Sequence, residues 1–138
     1  MKYLLFYIIS LLSLTACIRE DLPAGSFALE KGDLLPEFSI SNPDGTVSNK
    51  DLENKFALII FFSTTCSDCR EAFPDISTLY NMYKDNPSVR ILLIARNETE
   101  AQVTAYYREH QNAMEYFADP DRNDYSLFAD STSTRVIL

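Results

Sequence analysis

Two cysteines separated by two residues are the side chains of this sequence with the most distinctive chemistry. Cys66 and Cys69 follow an uninterrupted apolar segment, residues 56–62, and precede a segment whose apolar residues recur at helical spacing. A short apolar run rich in Ile and Phe is typical of a strand buried on both faces. The pair is therefore predicted to lie where a central strand ends and a helix begins, which is where open α/β sheets place their chemistry.

A helix N-terminus favours Cys66 as the nucleophile of this pair. Unpaired backbone N–H groups and the positive end of the helix dipole stabilise a thiolate, which is the attacking species in disulfide exchange. Cys69 lies one helical turn further on, close enough to attack a mixed disulfide and release the partner. Asp68 opposes the thiolate by charge repulsion, but only in part, because its side chain can turn to solvent.

Structural roles for the pair are less favoured. A structural zinc site needs four Cys or His ligands, and outside the pair the sequence offers only Cys17 and His110, so we expect no metal. A structural disulfide between Cys66 and Cys69 would close too short a loop to restrict the unfolded chain much.

A lone histidine on the apolar side of a helix is usually a packing residue or a helix cap, so we favour that role for His110 over a general base.

The N-terminal residues have the pattern of an export signal. Lys2 supplies a positive charge, and residues 4–14 form an apolar run that is too short to span a bilayer. Leu-Thr-Ala-Cys at residues 14–17 resembles the bacterial lipoprotein box, in which the signal peptide is cut before the cysteine and the cysteine is lipidated. This predicts a lipid on Cys17 and a lipid-anchored protein in the cell envelope, facing the periplasm or the outer membrane. The alternatives are an ordinary secretory signal or a buried helix, with Cys17 a spare thiol.

Length and composition predict one globular domain behind that anchor. We divide the chain into a signal peptide (1–16), a lipidated N-terminus and tether (17–31) and a single domain (32–138). The net charge of −8 argues against a nucleic-acid partner and against a basic membrane-binding face. Export would put the cysteine pair in an oxidising compartment, where disulfide chemistry is expected.

Alternating strand and helix signals predict parallel pairing with right-handed crossovers. Asn42-Pro43-Asp44-Gly45 is a strong turn signal between two short strands. The remaining predicted elements are a helical turn within 49–55, strands over 56–62, 89–95 and 116–118, a helix after Cys69, a helix entered through a capping box at 99–102, a brief helix at 125–128 and the start of a strand at 134–138.

Residues 32–138 resemble the thioredoxin-like lipoproteins of the TlpA and ResA kind, which belong to the AhpC/TSA-related redoxins and are common in Bacteroidetes. The resemblance rests on a Gly-x-x-x-Pro-x-Phe entry at residues 32–38, the apolar strand, Cys66-Ser67-Asp68-Cys69-Arg70, and Pro74, which kinks the active-site helix in that family. It implies an α/β thioredoxin fold with a central mixed sheet and flanking helices. It also implies Cys66 as the exposed nucleophile, Cys69 as the resolving thiol, and no cofactor beyond their disulfide. The implied partners are protein thiols and disulfides, with an upstream redox partner.

Several positions depart from that family. Thr65 stands where the family usually has Trp, and Ala72 where it usually has an acidic residue. Thr134 stands where a cis-proline faces the disulfide, so we expect a trans peptide bond there and an altered substrate platform. The family continues with a further strand and a closing helix that this sequence lacks. The resemblance therefore predicts a C-terminally incomplete domain.

Three functions compete on these observations. The first is a thiol–disulfide oxidoreductase. The second is a peroxiredoxin-like thiol peroxidase, but its motif needs Pro and Thr where this chain has Ile59 and Ser63. The third is an inactive thioredoxin-fold lipoprotein that serves as a binding or structural module, which Thr134 and the short C-terminus favour. We predict the first, an enzyme acting on protein disulfides through Cys66 and Cys69.

Overall fold

The computed structural model describes Leu29, residues 32–129 and the backbone of residues 136–137. Its elements follow the predicted order. They are β1 (Ser39–Asn42), β2 (Gly45–Ser48), a 3-10 turn (Asn49–Leu52), β3 (Phe56–Phe62), α1 (Ser67–Tyr83), β4 (Val89–Arg96), α2 (Glu100–Glu109), β5 (Phe117–Asp119), α3 (Asn123–Phe128) and β6 (Val136–Ile137).

A four-stranded mixed sheet, in the order β5-β4-β3-β6, carries the domain. β3 and β4 pair in parallel from Phe56 opposite Val89 to Phe62 opposite Ala95, and β5 continues the parallel pairing beyond β4. β6 pairs antiparallel with β3, with Val136 opposite Ile60. The expected mixed sheet is confirmed, and β3, which leads into the cysteines, is one of its two inner strands.

β1 and β2 form a separate antiparallel hairpin around the predicted turn. The Asn42 side chain stabilises this turn, because its Oδ1 accepts the backbone N–H groups of Asp44 and Gly45 at 2.9 Å each. Its Nδ2 donates to the carbonyl of Tyr116 at 3.2 Å, just before β5. The hairpin is therefore held against the β5 end of the sheet.

Alternating residues of β3 enter two hydrophobic cores on opposite faces of the sheet. Ile59 and Phe61 pack with the hairpin and α3, whereas Ile60 and Phe62 pack with α1 and α2. Cys69 belongs to the second core. The core residues of the α1–α2 face are Ile60, Phe62, Cys69, Phe73, Ile91, Leu93, Ala95, Val103, Tyr107 and Met114.

Burial along β3 is narrower than the sequence suggests. Residues 59–62 are buried, but Ala57 and Leu58 are half-buried and Phe56 is 81% exposed. The apolar run is longer than the part of β3 that the helices cover, so its first residues lie at the open end of the sheet. The cysteines follow the buried end. Among the described residues, no helix combines the length and apolar character needed to cross a bilayer.

Candidate active site

Cys66 is the residue at which α1 begins. Its backbone is extended and its side chain accepts a hydrogen bond from the N–H of Cys69, with 3.5 Å between Sγ and N. The Cys66 N–H donates to the carbonyl of Ser63 at 3.2 Å, which closes the turn between β3 and α1. Sulfur is therefore placed on the positive end of the helix dipole, as the sequence predicts.

Exposure differs between the two cysteines. Cys66 is half-buried, whereas Cys69 is 3% exposed and packs in the α1–α2 core. An external disulfide can therefore reach Cys66 first, and Cys69 is suited to react only with a partner already bound to Cys66. This geometry matches the expected division into a nucleophile and a resolving thiol, although the assignment of the roles stays a prediction.

The predicted neighbours of Cys66, namely Thr65, Ser67, Asp68 and Pro74, are all exposed. The hydroxyl of Thr65 lies 2.9 Å from that of Ser63. Ser67 donates to the Asp68 carboxylate at 3.2 Å, and both residues are exposed, as expected of a carboxylate that turns to solvent. Pro74 lies inside α1, where it supplies no N–H for the helix ladder.

Glu98 is a buried carboxylate that was not predicted from the sequence as a site residue. It lies between β4 and α2, is 5% exposed, and accepts hydrogen bonds from the backbone N–H of Thr64 at 3.0 Å, the hydroxyl of Thr64 at 2.7 Å and the hydroxyl of Ser63 at 3.0 Å. A buried charge needs such donors. Glu98 therefore fixes the turn that carries Cys66.

Asn97 turns the chain so that Glu98 reaches this position. Its φ of 60° is left-handed, a conformation in which Asn is enriched. Its N–H donates to the carbonyl of Asp119 at 2.8 Å, and Thr99 then caps α2 through a capping box with Gln102. The available sequence signal was an acidic residue between Asn97 and the capping box, just after the end of a buried strand.

A groove of about 420 Å³ opens beside Cys66 and joins the two loops. Cys66 and Thr65 line it from the β3–α1 side, and Arg96, Glu98 and Gln102 from the β4–α2 side. Arg96 is the last residue of β4, so both loops come from the carboxyl edge of the sheet. Parallel pairing of β3 with β4 brings Ser63 and Glu98, 35 positions apart in the sequence, to one site.

Two acidic residues lie near this edge, Asp119 at the end of β5 and Asp124 at the start of α3. Asp119 is buried and accepts the N–H of Tyr125 at 2.8 Å. Burial, and then the nearby Asp119 carboxylate, raise the pKa of Asp124 from 3.8 to about 6. Within residues 32–129, no group of three His, Cys, Asp or Glu side chains is arranged to hold a metal ion.

Comparison with known proteins identifies the family. Residues 31–131 match the AhpC/TSA family. The chain belongs to the AhpC/TSA family.

Within the AhpC/TSA family, the chain is similar to thiol–disulfide oxidoreductases. It is 30% identical over 84 residues to the thiol-disulfide oxidoreductase ResA of Oceanobacillus iheyensis, an alignment covering 57% of this chain and 43% of that protein. Across the relatives matched by sequence, the alignments span 43% to 55% of the relatives' lengths. The expected TlpA/ResA kinship is confirmed.

Solved structures confirm the thioredoxin fold. A candidate protein disulfide isomerase of Bacteroides thetaiotaomicron superposes with a TM-score of 0.69 and 25% identity, covering 76% of this chain and 67% of that one. The thioredoxin domain of a Bacteroides vulgatus thiol-disulfide oxidoreductase superposes with a TM-score of 0.63 and 21% identity, covering 80% and 82%.

Two of the remaining predicted residues lie outside the described part of this AhpC/TSA chain, namely Cys17 and Thr134. His110 lies within it and ends α2 as its C-cap, with its ring centroid 4.2 Å from that of Tyr106. This confirms the expected cap position of His110, whose ring also contacts that of Tyr106. Its side chain is exposed and does not line the Cys66 groove.

Proposed function

We propose that this chain is an extracytoplasmic thiol–disulfide oxidoreductase that uses Cys66 and Cys69 on protein disulfides. One observation carries the proposal: a half-buried Cys66 caps α1 and accepts the N–H of a buried Cys69 in a turn braced by Glu98. The matched relatives named as thiol–disulfide oxidoreductases support the reaction type.

The order of the reaction steps follows from the different exposure of Cys66 and Cys69. The Cys66 thiolate attacks one sulfur of a substrate disulfide, the substrate S–S bond breaks, and one substrate thiolate leaves. Cys69, after losing its proton, attacks the Cys66 sulfur, breaks the mixed disulfide and releases the second substrate thiolate. Two electrons pass to the substrate, its two thiolates take up protons, and Cys66 and Cys69 end as a disulfide. The reverse sequence oxidises a substrate dithiol.

A redox titration tests whether the pair is a working couple. The full chain, purified in mild detergent, is equilibrated in graded dithiol and disulfide buffers, thiols are trapped by alkylation, and labels are counted by mass. We expect Cys66 and Cys69 to gain labels together in one two-electron step while the protein stays folded. Labelling of the pair only after unfolding would contradict the proposal and would favour a binding or structural module.

Reduction of insulin by a dithiol, catalysed by the full chain, tests activity. We expect catalysis from the unchanged chain and none from Cys66→Ser. The matched control is Cys17→Ser, which removes a cysteine outside the proposed couple. If Cys66→Ser reduces insulin at the unchanged rate, the proposed nucleophile is wrong. Cys66-dependent consumption of peroxide without insulin reduction would instead favour a thiol peroxidase.

We further propose the export and anchoring that the sequence predicts. Residues 1–16 act as a signal peptide, Cys17 carries the lipid, residues 17–31 are the tether, and residues 32–138 form the catalytic domain. The supporting observations are the charge at Lys2, the apolar run and the Leu-Thr-Ala-Cys box. Metabolic labelling with palmitate in a bacterial host should mark the chain and should not mark Cys17→Ser. Equal labelling of both would contradict a lipid on Cys17.

A further inference from the structure

The groove beside Cys66 has an uneven distribution of charge. Two ionisable residues from the β4–α2 side line it, Arg96 and Glu98. The oxygens of Glu98 already accept hydrogen bonds from Ser63 and from the backbone and hydroxyl of Thr64. Since Glu98 is also only 5% exposed, its carboxylate is committed to the protein and is little available to a ligand.

Arg96 is not committed in this way. Its Nε is buried and has no hydrogen-bond partner among residues 32–129. The ion pair found among those residues joins Arg90 to Glu115, so Arg96 has no carboxylate partner there. Its guanidinium carbon lies 5.6 Å from the centre of the Tyr125 ring, which fixes one face of the group but satisfies none of its N–H donors.

An arginine that lacks a carboxylate partner among the described residues and lines the same groove as the nucleophilic cysteine is suited to bind an anion. Its planar N–H groups match the two oxygens of a carboxylate, and a partly buried site strengthens the attraction. The net charge of the whole chain opposes anion binding, because a charge of −8 disfavours the approach of anions. A preference for an acidic substrate would therefore have to come from this local feature.

We propose that Arg96 makes the groove select protein disulfides in which an Asp or Glu stands next to the reacting cysteine. The carboxylate binds the Arg96 guanidinium while the adjacent sulfur is attacked by Cys66. Arg96 is then a specificity-determining residue. This inference rests on the proposed oxidoreductase function and adds to it the class of substrate.

Single-turnover reduction of matched peptides tests the inference. The probes are disulfide-linked dimers of one short peptide that carries Asp, Asn or Lys beside its cysteine. The full chain is reduced, freed of reductant and mixed with each dimer, and thiol release is timed. Each rate is divided by the rate with dithiothreitol, which corrects for differences in the leaving thiol. We expect the Asp peptide to be reduced about fivefold faster than the Asn peptide at low ionic strength, and the Lys peptide to be slowest.

Variants assign the preference to Arg96. Arg96→Gln should bring the Asp-to-Asn ratio to about one, and Arg96→Lys should retain part of the preference because it keeps the charge. Arg90→Gln is the matched control, since it removes the same charge from the other end of β4. An unchanged ratio in Arg96→Gln, or an equal loss in Arg90→Gln, would overturn the inference.

The unchanged protein provides a test that does not depend on the folding of variants. Its Asp-to-Asn ratio should fall toward one as salt is raised to 1 M, where charges are screened over a few ångströms. A ratio of one at all salt concentrations overturns the inference while leaving the oxidoreductase function standing. Failure to reduce any of the dimers faster than Cys66→Ser would overturn both.

Discussion

The carboxylate of Glu98 holds the backbone of Thr64, with both of its oxygens 3.0 Å from the Thr64 nitrogen. The two residues come from different loops, and the contact joins the end of β4 to the turn after β3. Because Cys66 bonds to the carbonyl of Ser63 within that turn, Glu98 acts on the nucleophile through the backbone. We therefore regard Glu98 as a positioning residue, which acts on Cys66 through Ser63 and Thr64.

Replacing Glu98 by Gln should destabilise the fold by about 2 kcal/mol, because hydrogen bonds to a charged acceptor contribute about 1.5–3 kcal/mol and the new amide places a donor where donors already point. Urea denaturation followed by circular dichroism measures the free energy of unfolding. Glu100→Gln is the matched control, since it removes an exposed carboxylate two residues away. Equal effects of the two substitutions would show that the Thr64 contact has no special weight.

Replacing Thr99 by Ala should lower the free energy of unfolding by about 1 kcal/mol, the usual effect of losing a helix N-cap. The Thr99 hydroxyl accepts the N–H of Gln102, and the Gln102 side chain accepts the N–H of Thr99 at 2.8 Å. Thr99→Ser keeps the hydroxyl and should lose much less. The measurement is again urea denaturation, and a Ser variant as unstable as the Ala variant would argue against the cap.

Replacing Cys69 by Ser should trap the mixed disulfide, because the resolving thiol is lost while the nucleophile stays exposed. Incubating this variant with a disulfide-containing substrate protein should give a covalent adduct that a reductant dissolves, detected by mass. Cys66→Ser should give none, since Cys69 is buried in the core. Adducts that form on Cys69 in the Cys66→Ser protein would reverse the assignment of nucleophile and resolving thiol.

Replacing Asp124 by Asn should raise stability above about pH 6. In the folded protein, burial and then the Asp119 carboxylate raise the pKa of Asp124 to about 6, so the folded state holds this proton more tightly than the unfolded state does. The wild type therefore loses stability as pH rises from about 4 to 6. After allowance for solvent screening, the Asn variant should be more stable by about 1 kcal/mol at pH 7.5.

Urea denaturation at pH 4, 5, 6 and 7.5 checks the Asp124 prediction. Near pH 4 the carboxyl group is largely protonated in the folded state, so the variant and the wild type should differ least there. The gap should then open with rising pH. A stability difference that is constant across the range would show that Asp124 titrates alike in both states.

Local patterns were enough to predict most of the elements. The apolar run of β3, the Asn42 turn and the Thr99 capping box depend on neighbouring residues, and the structure confirms all three. The burial of Phe56 was overestimated, because how far the helices cover a strand depends on how the helices dock.

The sequence by itself determined the arrangement of the pair: two cysteines one helical turn apart, at the start of a helix that follows a buried strand. This holds because spacing and the helix dipole are local properties. Only the tertiary structure decided that Glu98 and Arg96 belong to the same site. Parallel pairing of β3 with β4 brings their carboxyl ends together, and a left-handed Asn97 turns Glu98 inward. Such contacts depend on the register between distant strands, which no single stretch of sequence encodes.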